Sequence, residues 1–326
     1  MSAHSQQNHT PALVVLTTLF FMMGFITCMN DILIPHLKDI FDLTYVQAML
    51  IQFCFFTAYA IMSIPMGYLV GKIGYKNGVI SGFVLTAIGC LLFYPAAGSH
   101  SYATFLGALF ILAVFVKMIR LPDANKIAEE ESEHNHDGKH SVWQYRHLVF
   151  GAAGIFCYVG AEVSIGSLLV SVLGYLKGLD HASAAKYLSF YWGGAMVGRF
   201  LGSAIMAKIA PNRYLAFNAT AAVALLGVAM LAGKASADIA MWALLAIGFF
   251  NSIMFPTIFS LATKGLGRFT SSASGVLCTA IVGGAVVPVV QGWAADTYGL
   301  MISFVVSAIC YVYIVFFAIK GYKADE

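Results

Sequence analysis

Ten apolar runs, each about as long as a bilayer is thick, constrain this chain more than any other feature. They lie at about 12–36, 45–70, 78–97, 102–119, 147–176, 184–207, 214–233, 238–263, 270–294 and 299–320. A helix rises about 1.5 Å per residue, so roughly 20 apolar residues cross the hydrocarbon. Inside that layer water satisfies no backbone group, and a helix is the form that satisfies its own. The alternation that marks a membrane β-barrel is missing. With 60% apolar and 10% charged residues among 326, a soluble domain is excluded on composition. The fold class this predicts is an all-α integral membrane protein with about ten transmembrane helices. No Lys or Arg precedes Lys38 and no clear small-residue cleavage site follows the first run, so that run is expected to stay as a helix.

Charge sets the expected topology. With the amino terminus inside, thirteen Lys and Arg fall on the inner segments and four on the outer (Lys38, Lys177, Lys186, Lys234), while Arg199 lies within a run. This bias places both termini in the cytoplasm and requires an even number of spans. A multi-pass protein of the inner membrane is expected, with the lipid bilayer as its surroundings and no nucleic-acid partner.

One hydrophilic stretch, 121–146, interrupts the pattern (LPDANKIAEEESEHNHDGKHSVWQYR). It is acidic, polar and aperiodic, which reads as a cytoplasmic linker rather than a metal site built on His134, His136 and His140. The predicted organisation is therefore a four-span bundle over 1–120, the linker, and a six-helix bundle over 147–326. A weak repeat supports duplicated halves: GYLVGKIGYKNGVI after the second run and GSAIMAKIAPNRYLA after the sixth both put Lys-Ile and a further basic residue at an inner end. The six cysteines all fall inside runs without metal spacing and read as soft packing residues.

Polar residues inside the runs are the candidate site. Asp31 sits in FFMMGFITCMNDILIPHL beside Asn30, with Thr27 one turn earlier on the same broad face. A carboxylate in a span is costly and marks ion or substrate handling, the alternative being a structural hydrogen bond to a neighbouring helix. Glu162, in FCYVGAEVSIGSLLVS, shares a face with Tyr158. Small residues at 160, 164, 167, 171 and 174 line the opposite side. Either Glu162 faces a cavity or it pairs with Arg199. Arg199 itself is read as a gate contact or a snorkelling cation. Gly194, Gly198 and Gly202 form a close-packing stripe around it. Asn251 lies mid-run, followed by Pro256, which cannot donate to the carbonyl of Ser252 and so breaks the helix there. Broken helices line many transporter sites, and an amide that donates and accepts suits a hydroxyl-rich ligand. Gln291 is a similar candidate; Gln52, Tyr191 and Trp192 are weaker ones. No phosphate loop, nucleophile–base array, zinc pattern or haem motif occurs, so neither ATP-driven pumping nor an enzyme is indicated.

These segments resemble the fucose/glucose–galactose proton symporters of the major facilitator superfamily. FFMMGFITCMNDILIPHLKDIF is similar to that family's first helix. LIQFCFFTAYAIMSIPMGYLVGKIGYKNGVISGF is similar to its second helix, loop and third helix. FCYVGAE, YWGGAMVGRFLGS, FFNSIMFPTIFSLATKGLG and IVGGAVVPVVQGWAAD resemble its seventh, eighth, tenth and eleventh. The family has twelve helices. Here YATFLGALFILA, like the outer half of the fourth, runs at about Ala113–Val114 into VFVKMIRLPDAN, like the inner end of the sixth. The inner half of helix four, helix five and most of helix six are thus missing. The parallel directions of helices four and six keep the downstream orientation unchanged.

The resemblance implies proton-coupled transport of a hexose or fucose-type sugar by alternating access, in a monomer without a cofactor, the proton being the coupling ion. It assigns proton coupling to Asp31; the reading of the residues themselves adds Glu162 as a further acid and Asn30, Thr27, Tyr158, Glu162, Asn251 and Gln291 as the expected sugar contacts. In the family the lost segment carries a glutamate that works with the acid at the position of Asp31. The alternative expectation is therefore a transport-defective protein that keeps the scaffold.

Overall fold

The computed structural model describes residues 31–73, 91, 102–116 and 141–323. These residues are helical, with no strand among them. The run at 78–97 apart from Leu91, most of the first run with Thr27 and Asn30, and the linker histidines lie outside the described residues.

Residues 31–40 are helical (α1) and turn at Phe41 and Asp42 into α2, Tyr45–Ile73; α3 is Tyr102–Val116. After a short 3₁₀ turn come α4, Arg146–Lys177, α5, His181–Met206, and α6, Pro211–Ala232. A second 3₁₀ turn leads to α7, Ala237–Asn251, and α8, Met254–Thr263. The chain ends with α9, Thr270–Ala280, α10, Gly283–Tyr298, and α11, Val305–Phe316.

Four stretches of described residues are long and apolar enough to cross a membrane: Arg146–Lys177, Pro211–Thr263, Ser272–Tyr298 and Ile302–Gly321. The second is 53 residues long and folds back through the 3₁₀ turn Gly233–Ser236, so it supplies two crossings. Two of the sequence runs are each built from two shorter helices, one broken at Ser252–Ile253 and the other at Ile281–Val282. Helix α5 has the length of a crossing but falls short on apolarity, because Lys186, Arg199, glycines and serines dilute it.

Helix α4 is the axis of the bundle. Its apolar window is 72% buried, against 33–44% for the other three stretches, so protein rather than lipid surrounds it. Large apolar side chains point outward on the peripheral helices, among them Phe200, Leu231, Trp242, Trp293 and Ile309. On a soluble protein such a surface would associate; here it faces acyl chains. Lipid tails are as apolar as Leu, so helices in a bilayer are held by close packing rather than by burial. Small residues supply it. A Cβ on Gly284 of α10 would meet the Phe56 ring of α2 at 3.0 Å, and one on Gly292 would meet the Tyr45 carbonyl oxygen at 2.9 Å.

The turns follow the local sequence. Gly178 ends α4 with φ +66°, a left-handed conformation that suits glycine, and its N–H closes on the Gly174 carbonyl at 2.8 Å. Asp180 then caps α5 by accepting from the Ser183 N–H. The Ser183 hydroxyl and then this N–H, both favouring the ionised form, hold the Asp180 carboxyl below its usual value of 3.8. A depressed folded-state pKa adds stability above the unfolded value and loses it as pH falls through the folded one. Asp180→Ala is therefore expected to speed amide exchange at Ser183 at neutral pH, and acidification below the carboxyl's titration to do the same in the unaltered protein. Across the bundle, Asp296 of α10 accepts from the N–H groups of Tyr45 and Val46 at 2.8 and 2.9 Å, placing a carboxylate on the positive end of α2. At the same end His181 pairs with Asp39.

Candidate functional site

Asp31, the first described residue of α1, is buried where α2, α4 and α5 meet it. Its Oδ1 accepts from Gln52 Nε2 of α2 and from Ser167 Oγ of α4, each at 3.0 Å. Gln52 Nε2 also donates to Ser167 Oγ at 2.8 Å. Gly166 makes room for the carboxylate: a Cβ there would lie 3.3 Å from Asp31 Oδ2 and 3.5 Å from the Trp192 ring. The buried Trp192 Nε1 makes no well-formed hydrogen bond among the described residues, although the indole borders the same carboxylate.

Glu162 lies one turn before Gly166 on α4, about 6 Å along the axis. Its Oε1 accepts from Tyr158 Oη at 2.7 Å, the i, i+4 pair expected from the sequence. Tyr158 Oη also lies 3.1 Å from the Asn251 carbonyl. Asn251, at the last turn of α7, is fully buried. Its Nδ2 donates to Tyr191 Oη at 2.9 Å, and its Oδ1 accepts from Tyr311 Oη at 2.7 Å. Tyr191 Oη in turn lies 3.4 Å from the Glu162 carbonyl. The side chain of Asn251 is thus committed to Tyr191 and Tyr311, while Tyr158, the phenol bonded to Glu162, meets only its main-chain carbonyl.

The break between α7 and α8 behaves as the proline dictates. Pro256 falls in the first turn of α8, where a missing N–H is tolerated. The Ser252 carbonyl it leaves free accepts instead from Arg199 Nε at 3.2 Å. The glycine stripe of α5 makes this reach possible: a Cβ on Gly198 would lie 2.5 Å from both the Phe249 carbonyl oxygen and Ser252 Oγ, and one on Gly202 would strike Ile253. Among the described residues Arg199 forms no ion pair with Glu162; it remains a charged neighbour of it. Arg199→Ala is expected to cost about 1 kcal/mol in thermal unfolding by uncapping that carbonyl, with Arg199→Lys intermediate.

Gln291 stands apart on α10. It is fully buried, its Oε1 accepts from Ser307 Oγ at 2.5 Å, and its Nε2 has no hydrogen-bond partner among the described residues. Gln52, Tyr191 and Trp192, the weaker candidates from the sequence, border Asp31 and Glu162, whereas Tyr311 carries no signal in the sequence. Ser167 appeared there only as part of a packing stripe. No group of three metal-binding side chains occurs among the described residues.

A buried acid and a half-buried one, a helix break and an arginine cap inside a lipid-facing helical bundle fit a membrane transporter. Residues 14–122 match the Major Facilitator Superfamily. The glucose/galactose transporter of Brucella abortus is 44% identical over 98% of this chain and 96% of its own length. The L-fucose-proton symporter of Escherichia coli is 28% identical over 93% of this chain and 91% of its own. Among solved structures, the E. coli fucose:proton symporter in the outward conformation superposes with a TM-score of 0.66 at 26% identity, covering 94% of this chain and 97% of that one. A second crystal structure of that symporter gives 0.67 at 25%, covering 96% and 98%. The chain belongs to the major facilitator superfamily and, within it, to the fucose/glucose–galactose symporter family. It is a multi-pass membrane protein of a transporter family rather than an enzyme. The alignment with the Brucella protein runs to 399 positions over a chain of 326 residues, so by difference at least 73 positions of the relative have no counterpart here. That is the length of two helices with their loops.

Proposed function

We propose that this protein carries a hexose or fucose-type sugar across the inner membrane together with a proton, by alternating access of a shortened first half and a complete second half. The observation that carries this reading is Asp31, a buried carboxylate held between residues of the two halves, in a chain 44% identical to a glucose/galactose transporter. Asp31 is the proton carrier. Glu162 is the second acid, and its proximity along α4 lets one site sense the other. Sugar hydroxyls hydrogen-bond Glu162, with Tyr158 alongside, and Asn30, Thr27 and Gln291 complete the set. Asn251 acts on the sugar mainly through Tyr191 and Tyr311, which it orients. Both termini lie in the cytoplasm, the unit is a monomer, and no cofactor is needed.

Counterflow tests substrate choice. Proteoliposomes preloaded with unlabelled glucose, galactose, fucose, fructose or N-acetylglucosamine are expected to take up the same labelled sugar for the true substrate alone. Glu162→Gln should weaken that exchange by about tenfold or more, the loss of one charged hydrogen bond of roughly 1.5–3 kcal/mol. Equal, unsaturable uptake of every sugar would refute the reading. The unmatched positions in the first half favour one rival, a scaffold that stays in the membrane and moves no sugar.

A further inference from the structure

Asp31 is held by a closed ring of hydrogen bonds. Gln52 Nε2 supplies two N–H groups, one to Asp31 Oδ1 and one to Ser167 Oγ, and the Ser167 hydroxyl donates its own proton to the same Oδ1. Every donor is used when Oδ1 accepts twice, as an ionised carboxylate does. Charge-assisted bonds of this kind are roughly twice as strong as neutral ones. The ring also joins the two parts of the chain: Asp31 and Gln52 precede the linker, and Ser167 follows it. It sits about 10 Å along α2 from the end where Asp296 caps that helix and His181 pairs with Asp39. The charge count assigns that end to the outside.

We propose that Asp31, Gln52 and Ser167 form a proton-operated clasp, closing the outer end of the two halves while Asp31 is ionised and releasing it when Asp31 is protonated. The proposal rests on reading Asp31 as the proton carrier. Gln52 and Ser167 are positioning residues that act on the sugar only through Asp31. The titratable groups facing Asp31 among the described residues are Glu162 on α4 and Tyr191 on α5; α2 presents the neutral Gln52. The sign is fixed by which form the donors favour. Both stabilise the carboxylate, so removing either raises the pH at which it takes up a proton. The closed state is favoured above that pH and lost as pH falls through it.

Spin labels at Lys38→Cys and Lys186→Cys, in a background freed of native cysteines and reconstituted in lipid, report the outer separation by double electron–electron resonance. The separation is expected to be short at high pH and to lengthen as pH falls. Ser167→Ala and Gln52→Met should each move the midpoint up by about one pH unit, a tenfold change in proton affinity. Ser167→Thr, which keeps the hydroxyl, should stay near the unaltered protein, and Asp31→Asn should abolish the titration. A midpoint unmoved by both ring variants overturns the clasp. So does a titration that survives Asp31→Asn or disappears in His181→Ala. Sugar counterflow on the same liposomes separates the two readings. Exchange without a pH-dependent separation removes the clasp alone; an Asp31-dependent separation without exchange keeps the clasp and removes the transport reading.

Discussion

Asp31→Asn is expected to abolish gradient-driven sugar accumulation while leaving downhill exchange in place. A pH unit across the membrane is worth about 1.4 kcal/mol per proton, so one-to-one symport drives the sugar toward about a tenfold excess inside. Asparagine occupies nearly the same volume and its side-chain oxygen still accepts from Gln52 Nε2 and Ser167 Oγ, so the local fold survives. It cannot take up a proton in the range where aspartate does. The accumulation ratio should fall to one, with counterflow retained, when both are measured on the same proteoliposomes. Loss of counterflow together with accumulation would make Asp31 a structural residue.

Asn251→Ala is expected to be the most damaging single change in the second half. Hydrogen bonds between membrane helices average only about 0.6 kcal/mol, so the lost bonds alone account for little. The stranded groups decide the outcome. Tyr191 and Tyr311 are fully buried and both spend a hydrogen bond on this amide. A buried polar group left unpaired costs about 1–3 kcal/mol; Tyr311 is stranded in this way, while Tyr191 loses one bond and keeps its contact with the Glu162 carbonyl, so the loss is about 2–4 kcal/mol, with transport falling as Tyr191 loses its fixed position beside Glu162. Thermal unfolding in detergent checks the order: Tyr311→Phe, which leaves the amide one partner, should cost clearly less than Asn251→Ala. Equal stability for both variants would mean that water satisfies the tyrosines and that Asn251 is not their anchor.

The acids were legible in the sequence because a charge in an apolar run has no cheap structural reason to be there. Asp31 and Glu162 stand out for that reason alone. The Tyr158–Glu162 pair was legible too, since it depends only on helical spacing. The break at Ser252 followed from one proline, and the stripe of glycines at 194, 198 and 202 foretold a close helix contact without naming the partner. The donors that fill the sites were not legible. Ser167 reaches Asp31 across 136 residues and Tyr311 reaches Asn251 across 60, and only the arrangement of helices creates those contacts. A serine in a membrane helix most often packs, and a tyrosine most often anchors at an interface, so neither residue signals its partner. Asn251 shows the converse. Its chemistry suits a sugar, yet both of its polar groups are turned to tyrosines, so its influence on a ligand passes through them.

The resemblance implies a glutamate partner for the acid at the position of Asp31, on the segment the sequence reads as missing. The central claim is that the remaining halves still couple a proton to a sugar. The most direct test is uptake of the labelled sugar that exchanges in counterflow, into proteoliposomes with an inward proton gradient, with and without a proton ionophore. Accumulation above the outside concentration that collapses on adding the ionophore is the expected result. Uptake that never exceeds equilibrium in well-folded protein would contradict the claim.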